Sequence, residues 1–388
     1  MNKFKPTNIK GAEDNTPQQQ ALRYKVIDTL RKNFEAYGYL PIETAQLNYL
    51  DLLTYKYDHN AEIVREIYKI KDQGDRDLGL RFDLTVPFCK YIAMNRNMKL
   101  PFKRYEIGKV WRNGPVKLGR TREFYQCDVD AVGITGPHIE AEIISMAIRC
   151  MLDLGITPVV EYGNRKLLPY SDAVIAVIDK MKKIKYGELI KELTKQNMTE
   201  SEAVELVDAV ECAPKIPEIL ELEKALEEMG VLKYCVYAPY LARGLNVYTG
   251  TVFEIFDGAG RTISSLGGGG RYDKIIGDFI DNGSKYPAVG ISIGLEPVMA
   301  LLALSRWGMG EGRSHPIDLM LIPLGTESFC QKHADKLRAE GKKVLVYFGG
   351  KSLAKAFEYA AANNIRHAAV IGEDEVKGKQ IVIKELSK

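Results

Sequence analysis

The sequence has few of the features that mark a secreted, membrane-bound or metal-dependent protein. Its six cysteines stand singly, with no C-x-x-C pair and no histidine nearby at the spacing of a metal site. No apolar run approaches the roughly 20 residues of a membrane-spanning helix, and the first residues, MNKFKPTNIKGAEDN, lack the apolar core of a signal peptide. We therefore expect reduced and mostly buried thiols, no metal held by protein ligands, no membrane partner and a cytoplasmic location.

An excess of charge of one sign is also missing, because 54 lysines and arginines stand against 51 acidic residues. Net charge thus neither supports nor excludes a nucleic-acid partner, and the local distribution carries more information. Between Lys103 and Arg122, seven cations accompany a single carboxylate, Glu106, and together they form a basic patch. With 388 residues, 46% of them hydrophobic, the chain is long enough for two or three domains with their own cores.

The basic patch lies in a stretch from Arg104 to Gly133 that is typical of one β-hairpin, with a strand-like run on either side of a loop containing glycine and lysine. At the two-residue period of a strand, one face of the second run carries Arg122, Phe124, Gln126, Asp128 and Asp130. Cations near the loop and carboxylates deeper in predict a site for a ligand that is anionic at one end and cationic at the other. The outer face of an ordinary edge hairpin is the alternative interpretation.

Two further segments carry unusual patterns. In LRFDLTVPF, the polar residues Arg81, Asp83 and Thr85 alternate with apolar ones, which predicts a strand with a polar face, followed by a helix that Pro87 permits. An ordinary amphipathic surface strand would give the same pattern. The glycine run Gly267 to Gly270 lacks the spacing and the βαβ context of a dinucleotide-binding loop, so we reject that function. We expect these glycines to let a ligand or another strand approach the backbone closely.

The remaining patterns indicate how the chain is organised. Charged helical segments without a strand signal fill residues 167–228, which predicts a helical insertion. A glycine-containing linker lies near residues 306–316, and beyond it strands and helices alternate. This alternation predicts a small α/β domain with a largely parallel sheet.

Several motifs together resemble the histidyl-tRNA synthetases, a family of class II aminoacyl-tRNA ligases. They lie in the family's order along nearly the whole chain: LRFDLTVPF, the hairpin WR…GRTREFYQCDVD, ARGLNVYTGTVFE, GGGGRYD, AVGISIGLE, KSLAKAFEYA and VIGEDE. The resemblance implies an α+β catalytic core over residues 1–166 and 233–305, with an antiparallel six-stranded sheet. It also implies a helical insertion over 167–232, a linker over 306–316, an α/β anticodon-binding domain over 317–388, and a homodimer formed through Thr16 to Leu50.

The activity implied by the resemblance is that of a histidine–tRNA ligase. Such an enzyme activates histidine with ATP and Mg²⁺ to histidyl-adenylate, and then transfers the histidyl group to the 3′ end of tRNA(His). Arg112 and Arg243 match the catalytic arginines. The residues that match ATP-binding positions are Arg112, Arg120, Arg122, Phe124 and Arg271. The residues that match amino-acid-binding positions are Asp83, Thr85, Gln126, Asp130, Arg243 and Tyr248.

The matching positions also imply separate roles. Arg112 resembles the arginine that holds the α-phosphate, and Phe124 resembles the ring that packs on adenine. Asp83, Thr85 and Gln126 resemble the residues that hold the substrate's α-amino group. Asp130 and Tyr248 resemble those that meet the imidazole, whose two nitrogens require a donor and an acceptor.

Two parts of the pattern depart from the family. Gly114 stands where class II enzymes usually have a glutamate that reaches the adenine amino group. Asn246 and Val247 replace an aspartate and a tyrosine beside the substrate ring. Because Gly114 has no carboxylate to offer, we expect adenine to be recognised through backbone and stacking contacts.

A third departure affects the γ-phosphate. Pro297 replaces an arginine that normally clamps this group, so we expect Arg271, Arg120 or Lys117 to supply the cation instead. These departures leave alternatives to the histidine ligase. One is a non-catalytic paralogue that senses histidine or regulates another enzyme, and another is a ligase for a different amino acid or acceptor.

Overall fold

The computed structural model describes residues 5–55, 62–116, 120–242, 247–280, 284–303, 317–350, 352–378 and 380–386. The chain falls into two compact units. One comprises Met1–Asp14 and Arg23–Leu301, and the other comprises Asn15–Leu22 and Leu302–Lys388.

A large mixed sheet and a small three-stranded sheet form the framework of the chain before residue 304. The strands of this part are β1 (Leu40–Pro41), β2 (Leu47–Tyr49), β3 (Lys69–Lys71), β4 (Asp77–Leu80), β5 (Phe102–Trp111), β6 (Glu123–Val132), β7 (Pro158–Asn164), β8 (Cys235–Tyr237), β9 (Thr251–Asp257), β10 (Gly267–Arg271) and β11 (Ala288–Gly294). The helices are α1 (Pro17–Ala36), α2 (Leu50–Thr54), α3 (Glu62–Arg65), α4 (Thr85–Met94), α5 (Pro137–Asp153), α6 (Asp172–Ile178), α7 (Tyr186–Thr194), α8 (Glu200–Glu211), α9 (Pro217–Glu228), α10 (Ile275–Ile280) and α11 (Leu295–Ala303).

The main sheet has the strand order β1-β5-β6-β11-β10-β9-β7-β8. Its six inner strands pair with one another in antiparallel fashion, whereas the edge strands β1 and β8 pair in parallel with β5 and β7. The prediction of six antiparallel strands was therefore wrong, because the sheet has eight strands of mixed direction. The two additional strands are only two and three residues long, too short to show a periodicity in the sequence.

The predicted hairpin is confirmed as β5 and β6, which pair from Phe102↔Val132 to Trp111↔Glu123. On β6, Cys127, Val129 and Ala131 are fully buried, as their alternation with polar residues requires. The alternative of an edge hairpin is wrong, because β5 also pairs with β1 and β6 also pairs with β11. Helix α5 packs against β7 and β11, so the hairpin lies within a sheet that has its own core.

The glycine run forms strand β10, which lies between β9 and β11. A Cβ atom on Gly269 would overlap the carbonyl oxygen of Gly290 on β11. The expectation that these glycines allow another strand to approach closely is thus confirmed. The dinucleotide-binding function that we rejected is also incompatible with a strand in the interior of a sheet.

The segment LRFDLTVPF does not form the predicted strand. Strand β4 ends at Leu80, residues 81–84 are irregular, and α4 begins at Thr85, two residues before Pro87. The Oδ1 atom of Asp83 accepts a hydrogen bond from the backbone N–H of Val86 at 3.0 Å, and so satisfies a donor in the first turn of α4. This local capping contact favours a helix start where alternation alone predicted a strand.

Residues 167–228 contain helices α6 to α9 and no strand, in agreement with the prediction for this segment, all of which is described. Thr199 and Glu202 form a reciprocal capping box at the start of α8. In the second unit, β12 (Leu319–Pro323), β13 (Val344–Val346), β14 (His367–Ile371) and β15 (Lys384–Glu385) form a sheet. The helices of this unit are α12 (Glu327–Ala339), α13 (Leu353–Ala362) and α14 (Glu373–Val376).

The sheet of the second unit has the order β13-β12-β14-β15. Its first three strands are parallel and β15 is antiparallel, so the prediction of a largely parallel sheet is confirmed. All six cysteines are free thiols, and four of them, at 89, 127, 150 and 330, are buried. Among the described residues, no helix combines the length and the apolar character needed to cross a bilayer.

Candidate active site

A cavity of about 360 Å³ opens beside the hairpin loop and strand β10 of the first unit. Four of the predicted site residues line it, namely Arg112, Arg120, Phe124 and Gln126. Two glycines of the run noted in the sequence, Gly267 and Gly268, also line it, and three residues that were not singled out complete the wall, namely Glu254, Ser292 and Glu296. The lining therefore combines guanidinium groups, an aromatic ring, an amide and carboxylates.

Arg112 and Phe124 lie together at the base of the hairpin loop. The guanidinium carbon of Arg112 is 5.2 Å from the centroid of the Phe124 ring, and Nε donates to the carbonyl oxygen of Phe82 at 2.9 Å. The backbone N–H of Arg112 donates to the carbonyl oxygen of Arg122 at 2.9 Å. These contacts hold a cation beside an aromatic face. A flat base on that ring would place attached phosphate oxygens near a guanidinium group suited to bind them.

Gln126 lines the cavity with an amide that is fixed from one side. Its Nε2 donates to the hydroxyl oxygen of Ser292 on β11 at 2.8 Å. Its Oε1 is buried and accepts no hydrogen bond from the described residues. The Ser292 hydroxyl thus decides the orientation of the amide. This orientation leaves an acceptor oxygen for a ligand that carries a donor, such as an ammonium group.

A cluster of buried charges lies on β5, β6 and the segment before α4. Nη1 of Arg81 is 2.6 Å from Oε1 of Glu106, and Nη2 of Arg104 is 2.6 Å from Oδ2 of Asp130. The hydroxyl of Tyr272 donates to Oδ1 of Asp130. Arg104 is completely inaccessible to solvent. The predicted imidazole contact Asp130 is therefore part of a buried ion pair and does not itself line the cavity.

Burial shifts the carboxyl groups near this cluster toward their neutral forms. Desolvation raises the pKa of Asp83 to about 6, against the opposing effects of the Val86 N–H, Arg112 and Arg104. Desolvation raises the pKa of Asp128 to about 8, opposed by Arg104. It also raises the pKa of Asp130, opposed by Arg104 and by the Tyr272 hydroxyl. Three carboxyl groups with raised pKa values near one cavity are typical of a functional site.

Of the other predicted ATP-binding residues, Arg122 and Arg271 do not line the cavity. Nε of Arg271 donates to Oε1 of Glu140 at 2.7 Å, and Nη2 donates to the carbonyl oxygen of Gly136 at 3.2 Å. Nε of Arg122 donates to the carbonyl oxygen of Gly114 at 3.2 Å, within the hairpin loop. Both guanidinium groups are thus occupied by protein partners. Of the predicted substitute cations that lie in the described part of the chain, Arg120 is the one that lines the cavity.

Of the remaining predicted residues, Thr85 and Tyr248 are described but do not line the cavity, and Arg243 lies outside the described residues. Thr85 is half-buried at the start of α4. Tyr248 is half-buried and packs, with Val247, against a core cluster that includes Tyr272. Arg243, Asn246 and Lys117 lie outside the described residues, so the predictions for them stand on the sequence alone.

Pairing between distant strands brings in the residues that sequence reasoning missed. Ser292 lies directly opposite Asp128 in the β6–β11 register, and no local pattern in AVGISIG signals that position. Glu296 follows at the start of α11, where its Oε1 is 2.9 Å from Nη1 of Arg23 and its Oε2 accepts from the Tyr125 N–H at 2.9 Å. The GLE motif was the only sequence signal for Glu296. Ser292 lies in the quoted motif AVGISIGLE, but the sequence assigned it no role.

The raised pKa of Asp128 predicts a dependence of stability on pH. Between about pH 4 and pH 8 the folded state keeps a proton that the unfolded state has released, so stability falls as pH rises through this window and levels off above it. We expect Asp128→Asn to remove on the order of 1 kcal/mol of this decline per pH unit. Urea unfolding from pH 4.5 to 9 measures this dependence of the free energy of unfolding on pH. The control is Asp51→Asn, at an exposed carboxylate. Equal dependence on pH in the wild type and in Asp128→Asn would contradict the prediction.

Comparisons with known proteins identify the family. The family model described as histidyl-tRNA synthetase matches residues 11–204 and 172–298, and the anticodon-binding-domain model matches residues 318–388. Histidine–tRNA ligase 1 of Bacillus cereus is 40% identical over 409 residues, which cover 98% of this chain and 93% of that protein. Histidine–tRNA ligase of Clostridium acetobutylicum is 33% identical over 421 residues, covering 99% and 96%.

Solved structures agree with this assignment. A histidyl-tRNA synthetase from Nostoc sp. PCC 7120 superposes with a TM-score of 0.80 at 27% identity, covering 99% of this chain and 95% of that one. A protein titled as an ATP phosphoribosyltransferase regulatory subunit/histidyl-tRNA synthetase, from Bacillus halodurans, has a TM-score of 0.76 at 20% identity, covering 95% and 98%, and shows the fold alone. The fold is that of a class II synthetase with a carboxy-terminal anticodon-binding domain, and the chain belongs to the histidyl-tRNA synthetase family.

Proposed function

We propose that this protein is a histidine–tRNA ligase, which activates histidine with ATP and transfers it to the 3′ end of tRNA(His). The observation that carries the proposal is the cavity itself. Arg112 and Arg120 supply cations for a triphosphate, Phe124 supplies a ring for a base, and the Oε1 of Gln126 supplies an acceptor for an ammonium group. The relatives named histidine–tRNA ligase support the same activity.

In the first step a carboxylate oxygen of histidine attacks the α-phosphorus of ATP, and the bond to pyrophosphate breaks. Negative charge builds on the α-phosphate oxygens, and the guanidinium of Arg112 stabilises it. We assign a second stabilising guanidinium to Arg243 from the sequence. Arg120 is assigned to the outer phosphates, with Arg122 holding the loop through the Gly114 carbonyl. Arg271 is bound to Glu140, and we therefore assign it a structural role.

The cavity also fits a magnesium ion. Mg²⁺ prefers oxygen ligands and usually binds one or two protein carboxylates together with substrate phosphates. Glu254 lines the cavity and is the carboxylate that we assign to it. When bound there, Mg²⁺ would neutralise charge on the phosphates.

At the amino-acid end, we assign the α-ammonium group to Asp83, Thr85 and Gln126. We assign the imidazole to Asp130 and Tyr248. The buried Arg104–Asp130 pair supports the ring assignment indirectly, because it holds the carboxylate in one position. A ring contact to Asp130 requires a small adjustment, since the carboxylate does not reach the cavity in this structure.

We propose the following division of labour along the chain. Residues 1–166 and 233–305 form the catalytic core, 167–232 the helical insertion, 306–316 the linker, and 317–388 the part that binds the anticodon. Exposed apolar side chains in the segment from Thr16 to Leu50, among them Leu40, Leu47 and Tyr49, support a homodimer through this segment. The protein would act in the cytoplasm.

The test is amino-acid-dependent exchange of pyrophosphate into ATP, run with each of the 20 amino acids and followed by charging of tRNA. We expect exchange with histidine and charging of tRNA(His). Exchange with another amino acid, or exchange without charging, would point to a different substrate or acceptor. Absence of exchange with histidine, with and without tRNA, would overturn the ligase.

A non-catalytic histidine-sensing protein is the second candidate. One observation favours it: Pro297 lines the cavity in the position where the sequence pattern of the family predicts a phosphate-binding arginine. Binding of histidine without pyrophosphate exchange is the result that would support this candidate over the ligase.

The hydrogen bond between Gln126 and Ser292 predicts a specific kinetic defect. We expect Ser292→Ala to raise KM for histidine about five- to tenfold, because the amide of Gln126 loses the contact that turns its Oε1 toward the ammonium group. KM for ATP should stay close to the wild-type value. Ser292→Thr keeps the hydroxyl and serves as the matched control. An unchanged KM for histidine in Ser292→Ala would show that the amide needs no such anchor.

A further inference from the structure

Glu66 is a buried carboxylate for which the roles above give no function. It follows α3 and is 6% exposed. Its carbonyl oxygen accepts the N–H of Asn113 at 2.7 Å, which ties it to the start of the hairpin loop. Its Oε1 is 3.5 Å from Nη2 of Arg120 on the returning side of that loop. The side chain thus reaches under the loop that forms one wall of the cavity.

The carboxylate of Glu66 occupies the space that a side chain on Gly114 would need. A Cβ atom on Gly114 would overlap Oε1 of Glu66 and lie 2.8 Å from its Cδ. Gly114 and Arg120 both line the cavity, and Oε1 lies 3.5 Å from Nη2 of Arg120 and in the space where a Gly114 side chain would be. The buried carboxylate does not itself line the cavity, but it lies directly behind two residues that do, and the absence of a side chain at Gly114 is what permits it to be there.

A purely structural ion pair does not account for this arrangement. The Arg120 side chain is 51% exposed, and its contact with Glu66 is at the outer limit of a hydrogen bond. Such pairs contribute about 1 kcal/mol or less. Burying a carboxylate costs several times more unless strong hydrogen bonds compensate for the loss of water. A ligand donor in the cavity would supply that compensation.

We propose that Glu66 is a specificity-determining residue that accepts a hydrogen bond from the exocyclic amine of the nucleotide base. The proposal rests on the proposed function, because it requires ATP in the cavity with its base on Phe124. Gly114 and Phe124 line the same cavity, so a base on the ring can present its edge toward the loop. An ionised carboxylate only accepts hydrogen bonds, so it selects an amine at that edge and disfavours a carbonyl oxygen.

Nucleotide binding measured by calorimetry tests the proposal without catalysis. The probes are ATP, purine riboside 5′-triphosphate, which lacks only the amine, and inosine 5′-triphosphate, which has an oxygen in its place. We expect wild type to bind ATP about tenfold or more tightly than either analogue, the effect of one hydrogen bond to a charged group. Glu66→Ala should bind ATP and purine riboside triphosphate equally.

Two further variants sharpen the test. Glu123→Ala is the control, because Glu123 is a partly buried carboxylate of the same hairpin bound to Lys109 and Trp111, and it should keep the wild-type preference. Gly114→Glu combined with Glu66→Ala places a carboxylate in the vacated space and should restore the preference for ATP. If Glu66→Ala fails to fold, Glu66→Gln keeps the side-chain size and should show a reduced preference.

The outcomes separate this proposal from the function on which it rests. A wild-type protein that binds none of the three nucleotides would overturn the ligase itself. A wild type that prefers ATP, with Glu66→Ala and Glu66→Gln retaining that preference in full, would overturn only the role of Glu66. A wild-type protein that binds ATP and both analogues with equal affinity would also overturn only the role of Glu66.

Discussion

Arg112→Ala should lower kcat for histidine-dependent pyrophosphate exchange by about 100- to 1,000-fold, the range seen when one donor to a developing oxyanion is removed. Arg112 is the cation that the structure holds beside Phe124, and its Nε is anchored on the Phe82 carbonyl. KM for histidine should change little, because the ammonium group is assigned to other residues. Single-turnover formation of the adenylate, followed by chemical quench, measures the step directly.

Two variants control for the loss of charge and of packing at this position. Arg112→Lys keeps the charge but not the planar fork, and it should recover only part of the rate. Lys109→Ala removes a cation from the same hairpin that pairs with Glu123, and it should leave kcat close to the wild-type value. If Arg112→Ala kept a near-normal rate, the α-phosphate would have to be bound by a different group.

Arg104→Leu should lower the free energy of unfolding by about 3–5 kcal/mol at pH 8, the cost of leaving buried charges without their partner. Arg104 is inaccessible to solvent and lies 2.6 Å from Asp130 and 3.6 Å from Glu106. The loss should be smaller at pH 5, because the raised pKa of Asp128, about 8, keeps this group protonated there. Urea unfolding at both pH values measures the difference.

Arg149→Leu is the matched control for this prediction. Arg149 is 62% exposed and pairs with Asp153 along α5, so its loss should cost less than about 1 kcal/mol. A loss of similar size in both variants, or no dependence on pH for Arg104→Leu, would show that the buried cluster does not behave as a charged network.

The hairpin could be predicted because its information is local. Alternation along β6 placed Phe124 and Gln126 on one face and buried Cys127 and Val129 on the other, and both follow from the two-residue period of a strand. The same local reasoning failed at LRFDLTVPF, where the side chain of Asp83 bonds to the N–H of Val86 and starts a helix. Alternation describes faces, but it does not detect a capping contact.

The parts that escaped prediction depend on pairing between distant segments. Ser292 reaches Gln126 across 166 positions of the chain, and Glu66 reaches Arg120 across 54. The edge strands β1 and β8 are similarly defined by neighbours far away in sequence. Family resemblance supplied several residues that line the cavity. The resemblance also indicated that a carboxylate is missing at Gly114. In the structure, the carboxylate of Glu66 occupies the space that a side chain on Gly114 would fill.

The glycine strand β10 has a consequence for inhibitors of this protein. Gly267, Gly268 and Gly294 present main-chain atoms to the cavity, and a Cβ on Gly267 would lie 2.7 Å from the carbonyl oxygen of Ser292. A compound that bonds to this wall would contact atoms that no single substitution can delete without distorting the sheet. Spontaneous resistance would therefore arise on the hairpin side, at positions such as Arg120 and Thr121, and compounds that avoid that side would retain their potency longest.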